Sequence, residues 1–231
     1  MFLSRIPINP ARRDTRKFLA SPQVIHAAVL SAFPPDTPGP ASGEGRVLWR
    51  LDQRDATIHL YVVSPHEPDF THIVEQTGWP TTAAWATRKY DQLLDTLTTG
   101  QRWHFRLTAN PVRSTLDRTR TENTGRHVKD RGKIAGLSAA EQLDWLRRKA
   151  TRAGFILTEC GPEDQREDDV RLIARDTLRF QRHNTPVTLS VATFEGTLTV
   201  SDPILLRAAL TGGIGRAKGY GCGLLTIAPT Q

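Results

Sequence analysis

Six of the twelve residues from Gly212 to Gly223 are glycine, and the run stands between a helical pattern and the last strand pattern of the chain. A segment so short of side chains cannot build a core of its own. It can bend sharply and let backbone approach a neighbour closely. Its place excludes the two common phosphate-binding glycine motifs, both of which follow a strand and open a helix. The spacing excludes them too: Lys218 is followed by Gly219 rather than Ser or Thr, and the glycines after Gly213-Ile214-Gly215 are misplaced for a dinucleotide fold. Two readings remain open from the residues. One is a helix C-cap with a tight bend. The other is a loop whose backbone, with Arg216 and Lys218, faces a bulky anion.

Ahead of this run the patterns alternate. Phe2–Ile8 reads as a strand ended by Pro10, and Arg12–Lys17 as a polar basic loop. Ser21-Pro22 starts a helix that stops at Phe33 before Pro34-Pro35. Residues 46–51 and 57–63 read as a strand pair, 71–78 as helix-like, and 93–97 and 102–108 as two further strands. After a basic stretch, Ser138 and Glu141 form a capping box ahead of a helix with Leu143, Leu146 and Ala150 on one face. Residues 155–158 are a short strand and 170–182 a hairpin arm leading into a strong β pattern that continues to Val200. Asp202-Pro203 opens a helix to about Leu210, and 224–228 is the last strand. This order predicts an α+β chain of two tandem ferredoxin-like (RRM-like) βαββαβ domains. Their expected extents are residues 1–112, a basic linker 113–137, and residues 138–231.

Charge narrows the partners. The 231 residues carry a formal net charge of +7, an excess that attracts polyanions. Between Arg102 and Lys133 nine basic residues face three acidic ones, a local balance of +6. Such a stretch is either a solvated loop or a phosphate-binding surface. Hydrophobic residues make up 38% and charged residues 24%, the profile of a globular chain. Cys160 and Cys222 form no CxxC pair and fit a reducing compartment. Arg5, Pro7 and Pro10 interrupt the start before a signal-peptide core develops, and no stretch is long enough for a membrane helix. A cytoplasmic location without membrane contact is expected.

Seven histidines are present, none spaced with Cys, Asp or Glu as metal ligands are, so neither a metal nor a cofactor is expected. His26 differs in position. On the helical wheel Ile25, Val29 and Ala32 share a face, and His26 lies about 100° from Ile25, at the border of that stripe. A border imidazole packs one edge and keeps a nitrogen available. That is also how an ordinary boundary histidine sits. Cleaving RNA without a metal asks for little more: the 2′-hydroxyl is an internal nucleophile, an imidazole moves protons near neutral pH, and cations stabilise the developing charge.

Four segments together resemble the CasE family of CRISPR repeat-RNA endoribonucleases, across nearly the whole chain. They are the start Met1-Phe2-Leu3-Ser4-Arg5, His26 seven residues before Phe33-Pro34, Phe105-Arg106-Leu107-Thr108-Ala109-Asn110-Pro111, and Gly213–Leu225 preceded by Phe194-Glu195-Gly196. The resemblance implies a protein that grips the repeat stem-loop of precursor CRISPR RNA and cuts at the 3′ base of the stem without metal. The products would carry a 5′-hydroxyl and a 2′,3′-cyclic phosphate or 3′-phosphate, and the enzyme would keep its product within the Cascade complex. It maps the catalytic histidine onto His26 and a basic hairpin onto Arg175–Arg182. The expected RNA-binding residues are Arg113, Lys129, Arg131, Lys133, Arg179, Arg182, Gly215, Arg216 and Lys218. Expected partners are the CRISPR RNA and other Cascade subunits, with a monomer when isolated. Some relatives carry a tyrosine three residues before the histidine; Gln23 stands there here and cannot exchange a proton at neutral pH. Two alternatives stay open, an inactive CRISPR-RNA-binding subunit of the same complex and an unrelated RRM-like RNA-binding protein.

Overall fold

In a computed structural model of the chain, residues 1–34, 45–115, 133–162, 164–182 and 185–230 are described. The first part runs β1 (Phe2–Ile8), α1 (Arg13–Leu19), α2 (Pro22–Leu30), β2 (Leu48–Arg54), β3 (Thr57–Ser64), α3 (Thr71–Thr77) and β4 (Ala86–Lys89). Its four-stranded sheet has the order β2-β3-β1-β4 with every pair antiparallel. That is the order a βαββαβ unit must take when each helix crosses the same face. Ile6, Ile8, Leu60 and Val62 face inward at alternate positions. They meet Ile25 and Val29 of α2, Phe18 of α1, and Ile73 and Val74 of α3.

A short α4 (Asp91–Leu94) leads to β5 (Arg102–Ala109). The rest follows as the hairpin β6 (Val112–Thr115) and β7 (Lys133–Gly136), α5 (Ala139–Arg152), β8 (Phe155–Leu157), β9 (Glu159–Cys160), β10 (Glu167–Asp168), β11 (Val170–Arg182), β12 (Thr185–Val200), α6 (Pro203–Gly212) and β13 (Leu225–Pro229). The second sheet has the order β11-β12-β5-β13, with β8 paired to β12. With β5 as its first strand, this order repeats that of the first sheet. Two ferredoxin-like units are therefore present.

The extents differ from the sequence reading in one instructive way. Strand 102–108 is expected within the first unit, yet β5 pairs with β12 and β13. Phe105, Leu107 and Ala109 bury their side chains among Phe155, Phe194, Leu198 and Leu225. The partners of β5 lie 80 or more residues later, and a β pattern names no partner. Residues 93–97, which read as a strand, are instead the end of α4 and the turn after it. Leu94 and Leu97 are both buried, and their separation of three residues is that of one helical turn rather than of one strand face. The Arg12–Lys17 loop is the helix α1, held by buried Thr15 and Phe18. The capping box forms as expected, Glu141 N–H donating to Ser138 Oγ and Ser138 N–H to Glu141 Oε2. Ser21 precedes α2 but makes no side-chain cap.

The two sheets are joined by a buried arginine. Arg50 of β2 is only 2% exposed. Its guanidinium donates to Asp52 at 2.7 and 2.8 Å, to the carbonyls of Arg106 and Leu224 at 2.9 and 3.0 Å, and to Thr226 Oγ1 at 2.8 Å. It also lies 5.6 Å from the Tyr61 ring centre. Ion pairs continue outward from Asp52 to Arg106 (3.5 Å), then to Glu195 (3.1 Å) and Arg54 (3.1 Å). They run through a cleft of about 760 Å³ between the sheets. Among the described residues, no helix is long and apolar enough to cross a membrane.

Removing one partner of a buried pair strands the other. Arg50→Met is expected to lower the unfolding free energy by roughly 3 kcal/mol, read by urea denaturation. Arg50→Met/Asp52→Asn should recover part of that loss, because the orphaned carboxylate is gone. A loss under about 1 kcal/mol, the range of a surface pair, would place the join between the sheets elsewhere.

Candidate RNA-cleavage site

His26 lies on the second turn of α2, whose buried face is formed by Ile25 and Val29. The imidazole is half-buried at the edge of that face, as the wheel predicts. Among the described residues its Nδ1 is shielded from solvent without a hydrogen-bond partner. The other nitrogen faces the glycine run: a Cβ added to Gly219 would lie 3.3 Å from His26 Nε2. A buried histidine kept for structure normally anchors its ring by hydrogen bonds, as His72 does on the Ala28 carbonyl at 2.9 Å. His26 has packing without such an anchor.

The glycine run reaches His26 because it is bolted on three other sides. Gly223 N–H donates to the Thr108 carbonyl of β5 at 2.7 Å, and Ile214 N–H to the Gly223 carbonyl at 2.8 Å. Gly221, at φ +79°, lies flat on the Trp49 indole, where an added Cβ would approach to 2.7 Å. Only glycine meets both demands, the left-handed backbone and the contact. Gly215 packs on the edge of Trp145 from α5. Between these contacts the 3-10 turn Lys218–Tyr220 is held against α2.

Cations gather at this junction. Lys218 Nζ donates to the carbonyl of Gly212 at the C-terminus of α6, a position that favours positive charge. Arg46 enters beside it: its N–H donates to the Thr211 carbonyl, one residue before Gly212, and its Nε is buried without a partner among the described residues. Arg182 stands at the end of β11. On that strand it shares a face with Phe180, whose ring lies 4.8 Å from Tyr220 in the 3-10 turn. Burial first, then the charges of Arg46 and Arg182, lower the His26 pKa below its ordinary value. Burial, Arg46 and Lys149 lower that of Lys218.

The expected site residues are thus partly brought together. His26, Lys218 and Arg182 converge, while Gly215 sits on the Trp145 edge. Arg216 is exposed on the glycine run. Arg179 is exposed on the opposite face of β11 from Arg182. Arg113 is 3.7 Å from Glu141. Lys129 and Arg131 lie outside the described residues, and of Lys133 only the backbone, in β7, is described. Arg46 escaped the sequence reading. It stands alone in a loop-to-strand junction, and the nearest hint is its place immediately ahead of β2. No group of three or more metal-ligating side chains occurs among the described residues.

Comparison with known proteins places the chain as a whole. A family model described as CRISPR associated protein matches residues 1–229. The chain is 31% identical to the CRISPR-associated endoribonuclease Cse3 of Thermus thermophilus, covering 99% of this chain and 100% of that protein. It is 32% identical to the CRISPR system Cascade subunit CasE of Escherichia coli, covering 79% and 88%. A solved structure of the endoribonuclease Cse3 bound to a 19-nucleotide RNA superposes with a TM-score of 0.77 at 28% identity, over 99% of this chain and all of that one.

The electrostatics can be read directly. A histidine titration followed by NMR should place His26 below the ordinary 6.5. Arg46→Ala should move it upward, since a repelling charge is removed. An unchanged value in the variant would put Arg46 out of range of the ring.

Proposed function

The chain belongs to the CRISPR-associated protein family, in its CasE group, and from that premise we propose that it binds the repeat stem-loop of precursor CRISPR RNA and cuts it at the 3′ base of the stem. The observation that carries this reading is the imidazole of His26. It is packed against the glycine turn without a hydrogen bond among the described residues to hold it there, and stands among Arg46, Arg182 and Lys218.

RNA brings its own nucleophile, the 2′-hydroxyl next to the scissile phosphate. What the protein must add is a proton acceptor, an aligned backbone and charge to meet the phosphorane. The lowered pKa leaves His26 mainly neutral at pH 7, ready to accept the 2′-hydroxyl proton. The bond from that oxygen to phosphorus forms as the P–O5′ bond breaks, and the departing 5′ oxygen takes a proton from solvent water. One product then ends in a 2′,3′-cyclic phosphate and the other in a 5′-hydroxyl. Arg46, Lys218 and Arg182 supply positive charge around the phosphate. Lys218 spends one of its three N–H groups on Gly212 and keeps two. No step calls for a metal ion. Gln23, one turn before His26, can orient a phosphate oxygen or water but does not carry the proton.

The hairpin of β11 and β12 extends the grip, with Arg182 toward the cut and Arg179 on its other face for the stem. Duplex RNA hides its bases in a deep major groove, so contacts here read shape and phosphate spacing. A protein holding the stem in this way stays with its product, consistent with a place in the Cascade complex beside the other subunits.

Cleavage of the repeat hairpin is expected in excess EDTA. His26→Ala should lose about 10²–10⁴-fold in rate while still binding the RNA. With His26 as base, kcat/KM falls as pH drops through its free-enzyme pKa, because the protonated ring cannot accept a proton. A profile that falls with rising pH instead assigns the acid role. Loss of cleavage in EDTA ends the metal-independent mechanism. An uncleaved hairpin that nonetheless binds makes the chain a binding subunit.

A further inference from the structure

The cations of α5 have no part in that reaction, and their surroundings set them apart. Arg148, Lys149 and Arg152 line a cleft of about 430 Å³ with Trp145 and the start of the β6–β7 hairpin. Two carboxylates line it as well, and both are engaged. Glu141 caps its own helix and meets Arg113 at 3.7 Å, while Asp144 pairs with Arg147 at 2.8 Å. Arg147 also takes Asp168 at 2.6 Å. Among the described residues no carboxylate lies within ion-pair distance of Arg148, Lys149 or Arg152. Cations in the last turn of a helix gain a little from its dipole. That does not explain a concave arrangement over an aromatic wall.

The wall ties this cleft to the reaction centre. The Lys149 ammonium lies 5.8 Å from the Trp145 ring centre, and the edge of the same indole carries Gly215 of the glycine run. Lys218, whose neighbour Gly219 touches His26, is close enough to Lys149 for its field to be felt. Positive charge therefore continues from His26 through Lys218 and Lys149 to Arg148 and Arg152, without a free carboxylate among the described residues that line it. The cleft has the size of a pocket that encloses one small ligand. That volume suits a nucleotide or so of a single strand rather than a base-paired stem.

We propose that the α5 cleft is a second RNA subsite, which takes the unpaired nucleotides adjoining the scissile phosphate. It rests on the reading of His26 as the cleavage site, since a strand passing His26 is led into the cleft by the shared glycine run and Trp145. Recognition there is of phosphate, not sequence. Its chemical work is to pull the strand taut on one side of the cut while the hairpin of β11 and β12 holds the stem on the other. That tension favours the in-line geometry the 2′-hydroxyl needs.

The test uses repeat hairpins carrying a 2′-deoxy nucleotide at the cut site, bare or extended by unpaired nucleotides on the 5′ or the 3′ side. Affinities are read by fluorescence anisotropy over a range of salt. For the parent, one of the two extensions should tighten binding by about tenfold and steepen the log–log salt dependence by roughly 0.7 per phosphate engaged. Arg148→Gln/Arg152→Gln, both exposed positions, should lose that gain and bind the bare hairpin as the parent does. Equal affinity for bare and extended hairpins overturns the subsite, and so does a variant that weakens on bare and extended RNA alike. A parent that fails to bind even the bare hairpin overturns the cleavage reading on which the proposal stands.

Discussion

Glycine backbone set close against rings is the contact on which this site depends. Gly221 rests on Trp49 of the first sheet, Gly219 on His26 of α2 and Gly215 on Trp145 of α5. The contact at Gly221 needs an absent Cβ and the other two leave little room for one, and together they draw three elements from different parts of the chain onto one short loop. Larger side chains in the run would push these elements away from it. The geometry around His26 is therefore a packing result: the loop carries few side chains itself, and its thinness sets how close the surrounding elements come.

The Arg50 clamp acts on the same loop from behind. Its donation to the Leu224 carbonyl grips the residue after Gly223, and its donation to the Arg106 carbonyl grips β5. A buried ion pair contributes little net stability, since desolvation offsets much of the attraction. What five directed hydrogen bonds add is register. An apolar side chain at position 50 would fill the space but allow the two sheets to slide. The loop bridging them would then slide as well.

Much of this was legible in the sequence, because the relevant signals are local. Ser21-Pro22, the capping box at Ser138 and the Asp202-Pro203 helix start each announce a boundary within a few residues. The border position of His26 follows from its helix alone. What stayed hidden is non-local. The assignment of β5 to the second sheet depends on partners near Phe194 and Leu225, and Arg50 is indistinguishable in sequence from an exposed strand arginine. Arg46 and the α5 helix lie near His26 only through the glycine run that touches their elements, a relation no spacing records.

The gathering of cations around His26 works in two directions. Burial and repulsion lower the pKa of the ring, while in the proposed mechanism the same charges attract the phosphate whose neighbouring hydroxyl the ring deprotonates. Once that phosphate is seated, its negative charge offsets Arg46, Arg182 and Lys218. The imidazole then becomes a better base at the moment it is needed. On the same proposal the product phosphate stays within this field after cleavage, so the charges that prepare the reaction also oppose release of the product. A site built in this way favours one cut followed by retention over rapid turnover, and retention is what a subunit that carries its RNA into a larger assembly requires.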